Sequence, residues 1–138
     1  MTKKEILNII LATSKNTMVE TLGIEITDFG DKYVCGKMPV DNRTVQPYRL
    51  LHGGASVALA ETLGSIASGL EIDLNKHAVV GIEINASHLR SVHNGWVYGK
   101  ATPLRIGKRI HVWEINITDE ENNLICNSRL TLAVIKKV

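Results

Sequence analysis

One stretch, residues 53–70, most constrains how this chain can fold, because its side chains are small or apolar on every face and Glu61 is its only ionised group. The stretch is long enough for a helix of about five turns. A helix that is apolar all round is buried rather than exposed at the surface. A lone buried carboxylate is costly, so such a group shifts its pKa, finds a partner or takes part in chemistry. Glu61 is therefore the first candidate functional residue.

The predicted helix, residues 53–70, begins directly after His52, with two glycines in its first turn. The first backbone N–H groups of a helix have no partners within the helix, and their partial positive charge suits an anion. The glycine at position 53 also permits a tight entry from loop to helix, so this residue can serve both the turn and the binding of an anion. One segment thus offers a carboxylate and an anion-stabilising terminus.

Length and composition exclude several classes of protein. With 138 residues, 44% of them hydrophobic, and a formal net charge of +2, the chain is expected to form a single domain over residues 1–138. Such a small, scattered charge does not indicate nucleic acid. No apolar run is long enough for a bilayer, and no signal peptide is recognisable. Cys35 and Cys126 are expected as reduced thiols in strands, so we predict a cytoplasmic protein without membrane partners.

Hydrophobic periodicity predicts an α+β fold. An N-terminal helical segment, residues 1–22, contains a helix over 4–14 and a short turn at 18–22. Six strands are predicted, at 23–29, 33–40, 78–86, 96–102, 110–118 and 124–135. The last four are expected to form an antiparallel meander. Because a curled sheet alone would not cover every face of the central helix, a partner subunit is expected on its outer face.

This order of elements resembles the hotdog-fold acyl-CoA thioesterases of the 4-hydroxybenzoyl-CoA, phenylacetyl-CoA and 1,4-dihydroxy-2-naphthoyl-CoA type. The motifs that carry the resemblance are Gln46, Leu51-His52-Gly53-Gly54, Leu59-Ala60-Glu61 and His88-Leu89-Arg90-Ser91. The resemblance extends over nearly the whole chain after the first helix. It implies a hotdog fold, in which a curved antiparallel sheet wraps around one long central helix.

The resemblance implies hydrolysis of acyl-CoA thioesters, with no metal or organic cofactor. It is strongest to hydrolases of 1,4-dihydroxy-2-naphthoyl-CoA in menaquinone biosynthesis. A close relative of those enzymes is a proofreading thioesterase, which clears misloaded aryl groups from carrier proteins. The residues themselves do not name the acyl group, so aryl and fatty acyl substrates both stay open.

A thioesterase needs a group that activates or delivers an oxygen nucleophile, and donors aimed at the developing oxyanion. Glu61 would supply the first, as nucleophile or as general base, and the N–H of Gly53 the second. By resemblance, His52 and Gln46 orient the thioester, and Ser65, one turn beyond Glu61, positions water or the carboxylate. A capping histidine, a loop amide and a small packing residue are the respective alternatives for these three.

By resemblance, a second group of residues lines the path of coenzyme A. Arginine forks and backbone N–H groups suit phosphates, whereas the alternative is a solvated hairpin with surface charges. The segment 105–109 is predicted as a basic turn. The candidate CoA-binding residues are Gly81, His88, Leu89, Arg90, Ser91, Arg105, Ile106, Gly107, Lys108, Arg109 and Ile110.

Helix geometry predicts that two chains share each site. Gly53 and Glu61 are separated by about 12 Å along one helix. A reacting carbonyl must lie about 3 Å from both the oxyanion donor and the nucleophile. Two antiparallel copies of the helix across a two-fold axis would bring Gly53 of one chain near Glu61 of the other, giving two identical sites. The resemblance further implies a dimer of dimers, a homotetramer.

Two other functions are compatible with a hotdog fold. A 3-hydroxyacyl dehydratase of this fold would place an aspartate and a histidine near the helix start, where this chain has no acidic residue. A non-catalytic acyl-CoA-binding module would have no need for Glu61. Both comparisons favour the thioesterase.

Overall fold

The computed structural model describes all residues, 1–138, and contains three helices and six strands. The helices are α1 (Lys3–Ser14), α2 (Met18–Thr21) and α3 (Gly53–Gly69). The strands are β1 (Glu25–Gly30), β2 (Tyr33–Pro39), β3 (His77–His88), β4 (Trp96–Ile106), β5 (Ile110–Thr118) and β6 (Leu124–Lys136). All six form one antiparallel sheet in the order β1-β2-β4-β5-β6-β3.

The sheet curls around α3, as a hotdog fold requires. α3 contacts β2, β3, β4, β5 and β6. Neighbouring strands lie about 4.8 Å apart, so a flat sheet would be too wide for one helix of about 10 Å diameter to reach five strands. The helix and the inner face of the sheet enclose a core of 19 buried hydrophobic residues. The expected hotdog fold is confirmed.

Alternation along the strands determines which side chains enter this core. In β5, Trp113, Ile115 and Ile117 are buried, whereas Asn116 on the other face is exposed. These are the two faces that the sequence pattern predicts for this strand. The predicted bounds of β5 are also those of the structure.

The predicted meander of four strands is wrong in one strand. β3 pairs with β6 at the far edge of the sheet, whereas β4 pairs with β2 and β5. The segment 89–95 that joins β3 to β4 is no tight hairpin, because Val92 within it is buried and its carbonyl accepts the N–H of Leu51 at 2.7 Å. This connection therefore passes beside the start of α3, and only β4, β5 and β6 form a meander.

β4 is longer than the sequence predicts, since it continues past Thr102 to Ile106. A proline within a strand normally argues against its continuation, because proline cannot donate to the ladder. β2 pairs with β4 only as far as Ala101, and the β4–β5 register shifts between Pro103 and Arg105. Pro103 therefore lies at an open edge beside a bulge, where the sheet needs no N–H group.

The predicted basic turn is correspondingly shorter. Arg105 and Ile106 belong to β4, and the turn is confined to residues 107–109. Within it, the N–H of Gly107 donates to the carbonyl of Ile110 at 2.8 Å. The basic side chains of this hairpin are exposed to solvent.

Burial of α3 by its own chain is one-sided, and the expected cover of its outer face by a partner subunit stays a prediction. The inner face carries Ala55, Ser56, Leu59, Ala60, Leu63, Gly64, Ala67 and Ser68, which are buried. The outer face carries Val57, Ala58, Glu61, Thr62, Ser65 and Ile66, which are only half-buried. The cover that the sequence demands is thus incomplete within one chain.

A buried polar contact fixes the C-terminal end of α3 to the sheet. The hydroxyl of Ser68 accepts the indole N–H of Trp113 at 2.6 Å and lies 2.9 Å from Nδ1 of His111. Burial lowers the pKa of His111, which favours the neutral imidazole. A neutral Nδ1 can accept the Ser68 proton, so all three side chains are satisfied together.

The N-terminal helices pack on the outside of the molecule, as predicted. α1 contacts β1 and α2, and Lys3 forms an ion pair with Asp28 at 2.9 Å. α1 has no fully buried residue, while Ile9 and Leu11 are exposed.

Cys35 in β2 and Cys126 in β6 are free thiols within strands, as expected from the sequence. None of the helices has the length and apolarity needed to cross a membrane.

Candidate active site

The start of α3 presents one free backbone donor. The ring Nδ1 of His52 accepts the N–H of Gly54 at 2.8 Å, and the N–H groups of Ala55 and Ser56 donate to the His52 carbonyl at 3.0 and 3.2 Å. The N–H of Gly53 has no acceptor in the chain. The His52 ring thus caps the helix, which was one of its two predicted roles, and leaves Gly53 as the available donor.

A tight loop places Gln46 beside this helix start. The N–H of Gln46 donates to the carbonyl of Leu50, and the N–H of Arg49 donates back to the carbonyl of Gln46, both at 2.8 Å. Arg49 has a φ of 67° at the turn. The Gln46 side-chain oxygen accepts the N–H of Tyr48. The amide of Gln46 is therefore held in a fixed, half-buried position.

A cavity of about 400 Å³ opens at the start of α3. It brings together two predicted catalytic residues, Gln46 and Gly53, with four predicted CoA-binding residues, His88, Leu89, Arg90 and Ser91. A Cβ atom on Gly53 would lie 2.8 Å from Nε2 of His88, so only glycine fits there without displacing the ring. Sequence reasoning did not include the remaining lining residues, Leu50, Leu51, Ser56 and Ile125.

The carboxylate of Glu61 lies on the half-buried face of α3 without a partner. It makes no ion pair and accepts no hydrogen bond within the chain, although three salt bridges form elsewhere. A Cβ atom on Gly81 of β3 would lie 2.7 Å from Oε2 of Glu61. The predicted CoA-binding residue Gly81 therefore lies beside the candidate catalytic carboxylate, and its missing side chain leaves room for it.

A β-bulge brings Gly81 to face the helix. Val79, Ile84 and Ala86 pack against the core, and Gly81 faces Glu61. Side chains alternate along a strand, so residues 81 and 84 cannot share a face in a regular one. The β3–β6 register shifts between Gly81 and Glu83, which supplies the extra residue. An isolated glycine inside a strand pattern, such as Gly81, is a sequence signal of a bulge or a close approach, but it does not tell which group approaches it.

Glu61 also lines a second cavity, of about 360 Å³, on the outer face of α3. Ser65 lies in the same cavity, one turn along the helix, and its hydroxyl makes no hydrogen bond within the chain. By contrast, the hydroxyl of Thr62 donates to the carbonyl of Ala58 at 2.7 Å. Ser65 is thus free to bind water or substrate near Glu61. The other lining residues are Ile10, Thr13, Ser14, Val19, Thr62 and Ile66, none of them in the predicted site.

The predicted site is divided into separate parts within one chain. Gly53 and Glu61 line different cavities. The carbonyl of Arg109 accepts the N–H of Val134, which pairs with Val79 near the start of β3. From there to His88 is a distance of about 30 Å along the strand. The structure therefore does not bring the predicted residues Arg105–Ile110 together with the cavity at the helix start.

Comparison with known proteins gives consistent matches over this architecture. Residues 48–126 match the thioesterase superfamily. The proofreading thioesterase EntH of Cronobacter turicensis is 53% identical over 124 residues, covering 90% of this chain and 90% of that protein. The 1,4-dihydroxy-2-naphthoyl-CoA hydrolase of Escherichia coli is 47% identical over 133 residues, covering 96% of this chain and 97% of that enzyme. A crystal structure of a thioesterase from Haemophilus influenzae superposes with a TM-score of 0.89 at 48% identity, covering 99% of this chain and 92% of that one.

Proposed function

This chain belongs to the thioesterase superfamily and is a thioester hydrolase, and we propose that it hydrolyses an aryl-CoA such as 1,4-dihydroxy-2-naphthoyl-CoA at a site shared by two subunits. The observation that carries the proposal is the division of the site. An unpaired carboxylate at Glu61 and a free N–H at Gly53 lie on one helix but line different cavities. The similarity to the hydrolase from Escherichia coli supports the choice of acyl group.

A two-fold axis level with Val57 would bring together the two parts of the site, the N–H of Gly53 and the carboxylate of Glu61. Val57 is midway between Gly53 and Glu61 on α3 and lies on the half-buried outer face. If a second α3 runs antiparallel beside the first, Gly53 of one chain is level with Glu61 of the other. The offset of about 12 Å that separates them in one chain is thereby removed. The same contact would cover the exposed face of the helix.

The edge of the sheet supports the same axis. β3 is an edge strand of 12 residues, with Val80 and Ile82 exposed. Long, exposed, apolar edges pair readily with another chain. In β3, Gly81 lies beside Glu61 and His88 lies beside Gly53. A two-fold axis midway between Gly81 and His88 would bring Gly81 of one chain level with His88 of the other. The carboxylate of Glu61 and the N–H of Gly53 from two chains would then meet.

The chemistry follows from these groups. The Gly53 N–H, at the positive end of the α3 dipole, would donate to the thioester oxygen as it becomes an oxyanion. The Glu61 carboxylate from the other chain would either deprotonate water for attack on the carbonyl carbon or attack that carbon itself, with water then hydrolysing the anhydride. In both routes the C–S bond breaks, the thiolate of CoA takes up a proton, and the carboxylic acid is released. Ser65 would orient the water beside Glu61.

The same axis would join the two candidate phosphate-binding segments. The turn at 107–109 lies level with Val79 through its contact with Val134. An axis midway between Gly81 and His88 brings the Val79 level of one chain opposite residue 90 of the other. The basic turn of one subunit and Arg90 of its neighbour could then bind the phosphates of one CoA molecule.

A second candidate function is proofreading of misacylated carrier proteins. The relative from Cronobacter turicensis, which carries that name, is 53% identical to this chain. The hydrolytic groups would be the same, and only the carrier of the acyl group, CoA or a carrier protein, would differ. Comparing kcat/KM for naphthoyl-CoA with that for aryl thioesters of a carrier protein discriminates the two functions.

Mixing two inactive variants tests the shared site. Glu61→Gln removes the carboxylate, and Gly53→Val places a side chain where the His88 ring lies. We expect each variant alone to lose naphthoyl-CoA hydrolysis by roughly 10²-fold or more. After unfolding and refolding them together, half of the dimers would be mixed. Each mixed dimer would contain one intact site and one doubly defective site, so activity should return to roughly a quarter of the wild-type value.

The control mixes Glu61→Gln with itself under the same refolding conditions, which should restore nothing. Failure of the two different variants to complement each other, with both refolded and dimeric by light scattering, would show that each chain holds a complete site. Undiminished turnover by Glu61→Gln alone would refute the catalytic role of the carboxylate.

A further inference from the structure

The N-terminal helices form the outer wall of the cavity that Glu61 lines. α1 contributes Ile10, Thr13 and Ser14, and α2 contributes Val19. All four residues precede residues 48–126, the region that matches the thioesterase superfamily. We propose that Ile10 and Val19 determine the size of the acyl group that this enzyme accepts. This inference rests on the proposed function.

The position of Glu61 indicates which part of the substrate enters this cavity. The carboxylate must reach the thioester carbonyl, so the groups on either side of that carbonyl leave in different directions. Gly81 of β3 lies beside the carboxylate but does not line this cavity, whose other wall is formed by α1 and α2. The proposed path of CoA runs along the β3 side. The acyl group therefore takes the remaining direction, against the N-terminal helices.

The volume of the cavity suits a compact ring system. A cavity of about 150 Å³ in a protein core holds one benzene molecule. The cavity beside Glu61 measures about 360 Å³, enough for two fused rings. The branched side chains of Ile10 and Val19 in the wall of this cavity thus occupy space into which a larger acyl group would need to extend.

The wall discriminates by size rather than by hydrogen bonding. The Thr13 hydroxyl donates to the carbonyl of Ile9 at 3.0 Å, and the Ser14 hydroxyl donates to the carbonyl of Ile10 at 2.7 Å. These donors are already used within α1. The side chains of Ile10 and Val19 are half-buried and apolar, so contact with them depends on the shape of the acyl group.

Two substitutions at Ile10 with opposite effects test the inference. Ile10→Ala enlarges the cavity and Ile10→Phe reduces it, and both are assayed with benzoyl-CoA and 2-naphthoyl-CoA, which share the same CoA moiety. We expect the naphthoyl-to-benzoyl ratio of kcat/KM to rise roughly tenfold in the first variant and to fall roughly tenfold in the second. Val19→Ala should shift the ratio in the same direction as Ile10→Ala. General destabilisation cannot move the ratio both ways.

Ile9→Ala is the matched control, because Ile9 is the adjacent residue of α1, is exposed, and does not line the cavity. The naphthoyl-to-benzoyl ratio of kcat/KM in this variant should equal that of the wild type. Ratios unchanged in both Ile10 variants, while the wild type hydrolyses both substrates, would overturn this inference and leave the proposed function intact. A wild type that hydrolyses neither thioester would overturn both.

Discussion

Replacing Gly81 by alanine tests whether the observed position of Glu61 is the working one. A Cβ atom at residue 81 would lie 2.7 Å from Oε2 of Glu61 and 3.9 Å from its Cδ, and it would meet no other atom outside its neighbours within 4 Å. Non-bonded heavy atoms rest about 3.5 Å apart, so the carboxylate oxygen must move by roughly 0.5–1 Å. The substitution therefore displaces the proposed catalytic carboxylate and no other neighbouring side chain.

The expected loss follows from that displacement. A misplacement of about 1 Å in a reacting group can cost about 10²-fold in rate, so we expect Gly81→Ala to lower kcat by roughly 10- to 100-fold. Gly81 does not have a positive φ, so alanine is not strained there. Its stability should stay level or rise by about 0.5–1 kcal/mol, because alanine restricts the unfolded chain. Steady-state kinetics and urea unfolding measure the two quantities separately.

Gly69→Ala is the control, since a Cβ atom there meets nothing within 4 Å. It should leave kcat at the wild-type value. In a double-mutant cycle, adding Gly81→Ala to Glu61→Gln should cause little further loss, because both changes act through the same carboxylate. Wild-type kcat in Gly81→Ala would refute the reasoning, as would a full additional loss in the Glu61→Gln background.

Two further predictions concern the substrate handle and the anchoring of α3. Replacing Arg90 or Arg109 by alanine should raise KM for an aryl-CoA roughly tenfold through the loss of a charge-assisted phosphate contact, and leave KM for the matching N-acetylcysteamine thioester unchanged. Equal increases for both substrates would remove the phosphate-binding role. Ser68→Ala should lower the free energy of unfolding by about 1–3 kcal/mol, because the N–H of Trp113 loses its acceptor. In the same urea titration Ser65→Ala, whose hydroxyl has no partner in the chain, should change stability little, and equal losses would contradict the anchoring role.

Local pattern was sufficient to predict which helices and strands this fold contains, although not where β4 ends. The central helix was predicted within one residue of its observed end, because an uninterrupted run of small and apolar residues fits a buried helix and little else. The alternation in β5 predicted both the strand and its buried face. The order of strands was not predictable in the same way. Alternation tells which face of β3 is buried but not whether β4 or β6 lies beside it, and the crossing segment 89–95 decides that.

The same distinction between local and long-range features holds for the candidate site. Glu61 and Gly53 could be found from the sequence, since an isolated carboxylate and a helix start are local features. The closeness of Gly81 to Glu61 depends on a β-bulge, and the place of Ile10 in the wall of the same cavity depends on how α1 packs on β1 and α2. Both are long-range consequences of packing. They are therefore available from the structure alone.

A single chain leaves three features open, and they lie in neighbouring elements, because Gly81 of β3 lies beside Glu61 of α3. The Glu61 carboxylate has no partner, the outer face of α3 is half-covered, and the edge of β3 exposes Val80 and Ile82. The last two are costly alone, because apolar surface stays in water and backbone groups stay unpaired. One antiparallel contact with a second chain would cover the helix, pair the edge and bring the Glu61 carboxylate to the free N–H of the partner's Gly53. Assembly and catalysis would then depend on the same surface, so a variant that weakens the β3 contact should lose activity in proportion to the dimers it loses.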